Sequence, residues 1–136
     1  PYASSIQWSR RFTGLKLFLS LATAGWEGYA AALRRQIALG QRLRESLASD
    51  GWLVVNTTPL PIVCFYDHTR EDGTSGRFMD AMVRAVAASD NAWISMTRVA
   101  GGRRVLRACI TSLRTSESDV DALVAALRDA RARDSA

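Results

Sequence analysis

The stretch from Ile6 to Tyr29, IQWSRRFTGLKLFLSLATAGWEGY, constrains this chain more than any other. Two arginines precede a run that is apolar on almost every side. From Phe12, the positions Leu15, Leu19 and Ala22 follow at steps of three and four and form one helical face. Leu17, Phe18 and Leu21 fill much of the other side. The spacing predicts a helix from about Arg10 to Ala24, stopped at Gly25. A helix apolar most of the way round is buried by other protein. Lys16 and Ser20 interrupt it, and it is too short to span a membrane, so no membrane partner is expected. The chain reads as though it opens in the middle of something larger.

With 136 residues, 48% of them hydrophobic, the chain can build one core. Its formal charge of +5 raises the question of nucleic acid, because clustered Lys and Arg can track phosphates. The cations, all arginine except Lys16, are instead scattered, and many lie within helical reach of acids. No aromatic stacking platform is interleaved with them, so no nucleic-acid partner is expected. Cys64 and Cys109 sit inside apolar, strand-like runs and read as buried free thiols of a reducing, cytoplasmic compartment. No charged flank followed by an apolar core and a cleavage site stands at the N-terminus, so no signal peptide is expected. One His and no Cys-x-x-Cys argue against a metal site.

A second helix is predicted from about Trp26 to Ser49, with Tyr29, Leu33, Ile37, Leu43 and Leu47 as its apolar stripe and Asp50-Gly51 as its end. Trp52–Asn56 and Ile62–Tyr66 read as two strands around a proline-containing linker. Asp67–Gly76 reads as a mobile surface loop, and Arg77–Ser89 returns to helical spacing through Phe78, Met82 and Val86. Ala92–Val99 and Arg103–Thr111 form a hairpin around Ala100-Gly101-Gly102. Ser116-x-x-Asp119 resembles a capping box that opens the last helix, with Arg131–Ala136 as a fraying tail. This order predicts an α+β fold: a small antiparallel sheet covered by helices, with long N-terminal helices.

No catalytic constellation is evident. The only His, His68, lies in the polar loop; no nucleophile elbow, phosphate-cradling loop or Cys-His pairing motif is found. Lys16, the only lysine, falls inside the apolar helix. No catalytic, cofactor-binding or metal-ligating residue is therefore assigned. Arg107 stands apart. It shares a strand face with Val105 and Cys109, in the middle of an otherwise apolar strand. A guanidinium held there could offer a planar fork to a carboxylate; the alternative is an arginine paired with an acid of its own domain, or one at a sheet edge facing water.

Four segments, in order, carry a resemblance. Ser9-Arg10-Arg11-Phe12-Thr13-Gly14-Leu15-Lys16-Leu17-Phe18 is similar to the Gly/Ser-Arg-Arg-Phe-x-x-Leu-Lys-Leu-Trp segment of the pyridoxal-phosphate-dependent group II amino-acid decarboxylases. Gly25-Trp26-Glu27-Gly28-Tyr29 resembles the Gly-x-x-Gly that follows it in that family. Pro61-Ile62-Val63-Cys64-Phe65 resembles its Leu-Val-Cys-Phe strand. Val105-Leu106-Arg107-Ala108-Cys109-Ile110, with Arg114-Thr115 after it, resembles its Val-Leu-Arg-x-x-Ile and Arg-Thr. Phe18 stands where Trp is usual, a change in packing.

The resemblance covers only the family's C-terminal part, and it implies the following. Residues 1–25 would be a linker and buried helix turned toward a missing N-terminal large domain, and residues 26–136 the C-terminal small domain. The cofactor would be pyridoxal 5'-phosphate, none of it bound by this part alone. The lysine that holds it would lie in the large domain; Lys16 matches a different, helical lysine. The activity would be that of a lyase of amino-acid metabolism, a carboxy-lyase releasing CO2 from an L-amino acid to give an amine, with this part inactive alone. A homodimer partner is implied, with Ser9 approaching the partner subunit's substrate pocket and Arg107 suited to binding the substrate carboxylate. The alternative is a stand-alone dimerisation or regulatory module derived from the same domain.

Overall fold

The computed structural model describes residues 12–89 and 92–134. Among them are three α-helices and four strands in the order α1 (Thr13–Ser49), β1 (Trp52–Val54), β2 (Ile62–Asp67), α2 (Gly76–Ala87), β3 (Ser95–Arg98), β4 (Arg104–Cys109) and α3 (Glu117–Asp134). The strands form one antiparallel sheet in the order β1-β2-β4-β3, so the fold is α+β as the sequence predicts. The chain divides into two units, Pro1–Leu33 and Arg34–Ala136.

In the first unit, α1 loses helical geometry at Gly25, where φ is 67° and ψ 172°. That left-handed φ suits glycine and marks the expected end of the first helical stretch. Phe12, Leu15, Leu17, Phe18 and Leu19 are exposed; Phe12 retains 76% of its accessible surface.

In the second unit, α1 buries Leu39, Leu43 and Leu47, one residue per turn. This corrects the predicted stripe, because Leu33 and Ile37 are exposed. The register is decided by Gly40, where an added Cβ would stand 3.0 Å from Pro61 Cα. The helix approaches the β1–β2 linker so closely that only the Leu39–Gly40 side fits against it. Arg44, outside the predicted apolar stripe, reaches into that linker. Its Nη1 donates to the Asn56 carbonyl at 2.7 Å, and its Nη2 to those of Thr58 at 2.9 Å and Ile62 at 2.8 Å. One guanidinium thereby satisfies carbonyls that have no ladder partner.

Directly opposite residues in an antiparallel pair point to the same side. Trp52, Val54, Val63, Phe65, Leu106 and Ala108 therefore share one face. That face joins Leu39, Leu43 and Leu47, the α2 residues Phe78, Met79, Met82 and Val86, and the α3 residues Val120, Leu123, Val124 and Leu127 in a single apolar core. Trp52 sits edge-on to Phe65 at 5.4 Å between ring centres and is stacked on Phe78 at 6.4 Å. The two methionines are core filler, as their spacing suggests.

The β3–β4 connection is a tight turn with Gly101 and Gly102 at φ 81° and 77°. It is closed by hydrogen bonds from Val99 N to Arg103 O and from Gly102 N to Val99 O, each 3.0 Å. The strands are shorter than predicted: β3 begins at Ser95 rather than Ala92, and β4 ends at Cys109 rather than Thr111. The Ser116–Asp119 cap is present, with Ser116 N and Oγ both donating to Asp119 Oδ2 at 2.8 Å.

Two further predictions are overturned. Asp67–Gly76 is a tied segment rather than a mobile loop. Asp67 ends β2 and is buried, and Gly73 packs so tightly against the Asp67 backbone that a Cβ there would overlap it. Arg70 binds Asp72 at 2.8 Å and Asp134 at 3.1 Å, and Ser75 caps α2 by accepting from Phe78 N at 3.1 Å. Nor does the chain fray from Arg131, because α3 continues to Asp134 and Arg131 is drawn into a charge cluster.

Candidate functional site

The face of the sheet turned away from the apolar core carries the candidate site. On one rung across β2, β4 and β3, Cys64 pairs with Arg107 and Arg107 pairs with Ser95, so the three side chains share that face. Ile62 pairs with Cys109 one rung to one side, and Val105 pairs with Thr97 two residues along β4 in the other direction. Arg107 is half-buried, in keeping with its apolar strand. Its Nε is fully buried and has no hydrogen-bond partner, and the same holds for Ser95 Oγ. Of the structural readings of Arg107, a place at a sheet edge is overturned because β4 lies between β2 and β3, and pairing with an acid of its own domain finds no support, since no ion pair to Arg107 occurs among the described residues.

Cys64 and Cys109 are free, Cys64 buried and Cys109 half-buried. Burial pushes the Cys64 thiol up, while the Arg107 charge pulls the other way and is outweighed. Cys64 is thus a neutral neighbour, not an anionic partner for the guanidinium.

A second cluster, at the other end of the sheet, was missed by sequence reasoning. Arg131 Nη2 donates to Asp50 Oδ2 at 2.7 Å and to the Asp50 carbonyl at 2.6 Å, and its Nη1 reaches Asp67 at 3.4 Å. Its guanidinium lies 4.8 Å from the centre of the Trp52 ring. Asp50 also accepts from Arg128 at 2.6 Å, and Asp67 from the Thr69 hydroxyl at 2.6 Å. Every member has a partner, so the cluster fastens α3 to the sheet. A faint signal existed in the sequence: Arg128 and Arg131 lie three apart, on one helix face.

A cleft of about 280 Å³ opens between Leu43, Trp93, Ile110 and Val120, with Arg114 and Thr115 on its wall. These two residues belong to one of the family-like segments. His68 is exposed, as expected of a loop histidine, and so is Lys16. Neither belongs to a cluster suited to holding pyridoxal phosphate, and no group of three metal-ligating side chains occurs among the described residues. No described helix is long and apolar enough to cross a membrane. Ser9 lies outside the described residues.

No family model matches the chain. Tryptophan decarboxylase 2 of Oryza sativa subsp. japonica is 32% identical over 123 residues, 88% of this chain and 24% of that protein. The 3,4-dihydroxyphenylacetaldehyde synthase of Aedes aegypti is 33% identical over 79 residues, 58% of this chain and 15% of its own length. The chain is related to the C-terminal part of the group II amino-acid decarboxylases. It spans about a quarter or less of the curated relatives it matches. Among solved structures, that of Oryza sativa TDC with PLP and tryptamine superposes with a TM-score of 0.78 at 23% identity, over 94% of this chain and 28% of that one. Mouse CSAD in apo form gives 0.77 at 18% identity, over 93% and 29%. At those identities the likeness establishes the shared fold. The small helix-covered sheet is thus a fold shared with part of these proteins, and the rung at Arg107 is built on it.

Proposed function

We propose that the chain serves as the C-terminal part of a pyridoxal-phosphate-dependent amino-acid decarboxylase, a carboxy-lyase that removes CO2 from an L-amino acid and leaves the amine. The observation that carries the reading is the 32% identity to a tryptophan decarboxylase over 88% of the chain. The cofactor supplies the electron sink for the departing CO2. The described residues form no cluster suited to seating it, so in this reading an N-terminal large domain holds it and the chain is inactive alone. The exposed apolar face of Phe12–Leu19 is then what that domain, within a cytoplasmic homodimer, covers.

The role left to this chain is recognition. Arg107, a forked donor on a strand with no acid paired to it among the described residues, receives the carboxylate of the amino acid and fixes its direction. Ser9 contributes to the substrate pocket across the dimer.

Purified protein carrying this chain should show bound pyridoxal phosphate as an absorbance band near the visible edge, and should release amine and CO2 from an L-amino acid. The 136-residue chain by itself should do neither. Turnover by the chain alone would sink the reading. Similarity to an aldehyde synthase supports a second reading, which an aldehyde product in place of the amine would establish. Self-association of the chain without any cofactor-dependent activity in the protein would favour a stand-alone module.

A further inference from the structure

We infer that the cleft between α1, β4 and α3 is a binding site for a free α-amino acid with an apolar side chain, separate from the rung at Arg107.

The cleft and the rung lie on opposite faces of the sheet. Ala108 and Ile110 line the cleft and belong to the apolar core, so it opens on the face that the helices cover. Arg107 alternates with them along the chain and shares the other face with Cys64 and Ser95. It is not among the residues that line the cleft.

At about 280 Å³ the cleft has the volume of a small ligand site, since such sites run from about 300 Å³ upward. Its floor is apolar, with Leu43, Ile110 and Val120 all buried. Trp93 on the rim keeps 68% of its surface exposed, so a large aromatic face stands open beside that floor. The wall is tied in place. Arg35 Nη2 donates to the Thr115 carbonyl and Gln36 Nε2 to that of Thr111, each at 3.0 Å. Arg114 N donates to Ser112 Oγ at 3.2 Å within the same segment.

Of the residues lining the cleft, Arg114 and Asp119 alone are charged, and their signs are opposite. No ion pair to Arg114 occurs among the described residues. Asp119 uses Oδ2 to accept from Ser116 N and Oγ, which leaves its other oxygen able to accept. Those bonds hold its carboxyl below the ordinary range, so it is anionic at neutral pH. A cation, an anion and an apolar floor in one cleft match the carboxylate, ammonium and apolar side chain of one small molecule. A simple carboxylic acid would leave Asp119 unanswered, and a simple amine would leave Arg114 so.

The probe is L-phenylalanine added to protein carrying this chain, with tryptophan emission read at once on mixing. Trp93 should pass from water into apolar contact, so the emission should shift to shorter wavelength and saturate, and the shift should vanish in Trp93→Phe. Arg114→Gln should raise the apparent dissociation constant about tenfold, as expected for one hydrogen bond to a charged group. In wild type, 3-phenylpropanoate and 2-phenylethylamine, which lack the ammonium and the carboxylate respectively, should each bind about tenfold more weakly than phenylalanine. Arg107→Lys, on the far face, should leave the shift unchanged, so the outcome is separate from that of the decarboxylase reading. No shift in wild type, or one that survives in Trp93→Phe, would overturn the inference. Equal binding by wild type and Arg114→Gln would do the same. Binding of 3-phenylpropanoate as tight as that of phenylalanine would overturn the amino-acid assignment, and loss of the shift in Arg107→Lys would seat phenylalanine at the rung instead.

Discussion

Two half-buried arginines on this small fold live under opposite conditions. Arg131, on α3, meets Asp50, Asp67 and the face of Trp52, and nothing in its surroundings is left wanting. Arg107, on a central strand, has an Nε with no acceptor and a neighbouring serine in the same state. A closed cluster of charges marks a joint, because removing any member strands the others. A rung whose buried donors have no acceptor is the opposite case, and an uncommon one, since native folds leave few buried donors unmade. The difference teaches that burial of an arginine says little about its purpose until its partners are counted.

The largest expected effect comes from breaking the closed cluster. Arg131→Met keeps the bulk over Trp52 but removes the cation paired with Asp67, whose side chain is fully buried. Stability should fall by about 3 kcal/mol, the low end for breaking a buried pair, measured by urea unfolding. A loss under 1 kcal/mol would show that the Thr69 hydroxyl suffices for Asp67 and that the joint is looser than its geometry.

At the open rung the same kind of change should act on recognition. Arg107→Lys in protein carrying this chain keeps the charge and loses the fork. We expect kcat/KM for the amino acid to drop at least tenfold, about 1.4 kcal/mol, with the circular dichroism spectrum unchanged. Unaltered kinetics would place Arg107 outside the substrate path.

Arg107→Met sharpens the contrast through stability alone. Removing a charge with no partner should leave the unfolding free energy within about 1 kcal/mol of wild type or raise it, the reverse of Arg131→Met. A large loss would mean that Arg107 has a structural partner beyond the described residues.

The smallest effect belongs to a closed contact at the surface. Hydrogen bonds from the backbone and then the hydroxyl of Ser116 hold the Asp119 carboxyl below its ordinary range. A depressed folded value contributes stability that is complete above the unfolded carboxylate range and is lost as pH falls through the folded value. The small difference in melting temperature between wild type and Asp119→Asn should therefore be present at neutral pH and vanish in strong acid. A difference that persists in acid would mean that the ionised carboxylate is not what caps α3.

Much of the architecture was legible in the sequence because it depends on neighbours in the chain. Alternation at Val105–Ile110, the glycines of the β3–β4 turn and the Ser116–Asp119 cap act within a few residues, and the structure follows them. The α1 stripe was misread because Leu33 and Ile37 follow one spacing of four and Leu39, Leu43 and Leu47 another, on a different side of the helix. Only the approach of Pro61 to Gly40 selects among them.

What sequence alone determined here is therefore the order and type of the elements, the antiparallel sheet and the likeness to the decarboxylases. What tertiary structure decided is which charges are closed and which are open. Arg131 looked like part of a fraying tail because its partners lie 64 and 81 positions away along the chain, at Asp67 and Asp50. Arg107 looked able to pair with an acid of its own domain, and only the register of β3, β4 and β2 shows that its rung holds a thiol and a hydroxyl instead. Electrostatic pairing acts through space over a few ångströms, so no local pattern can announce it; the fold must first bring the distant residues together.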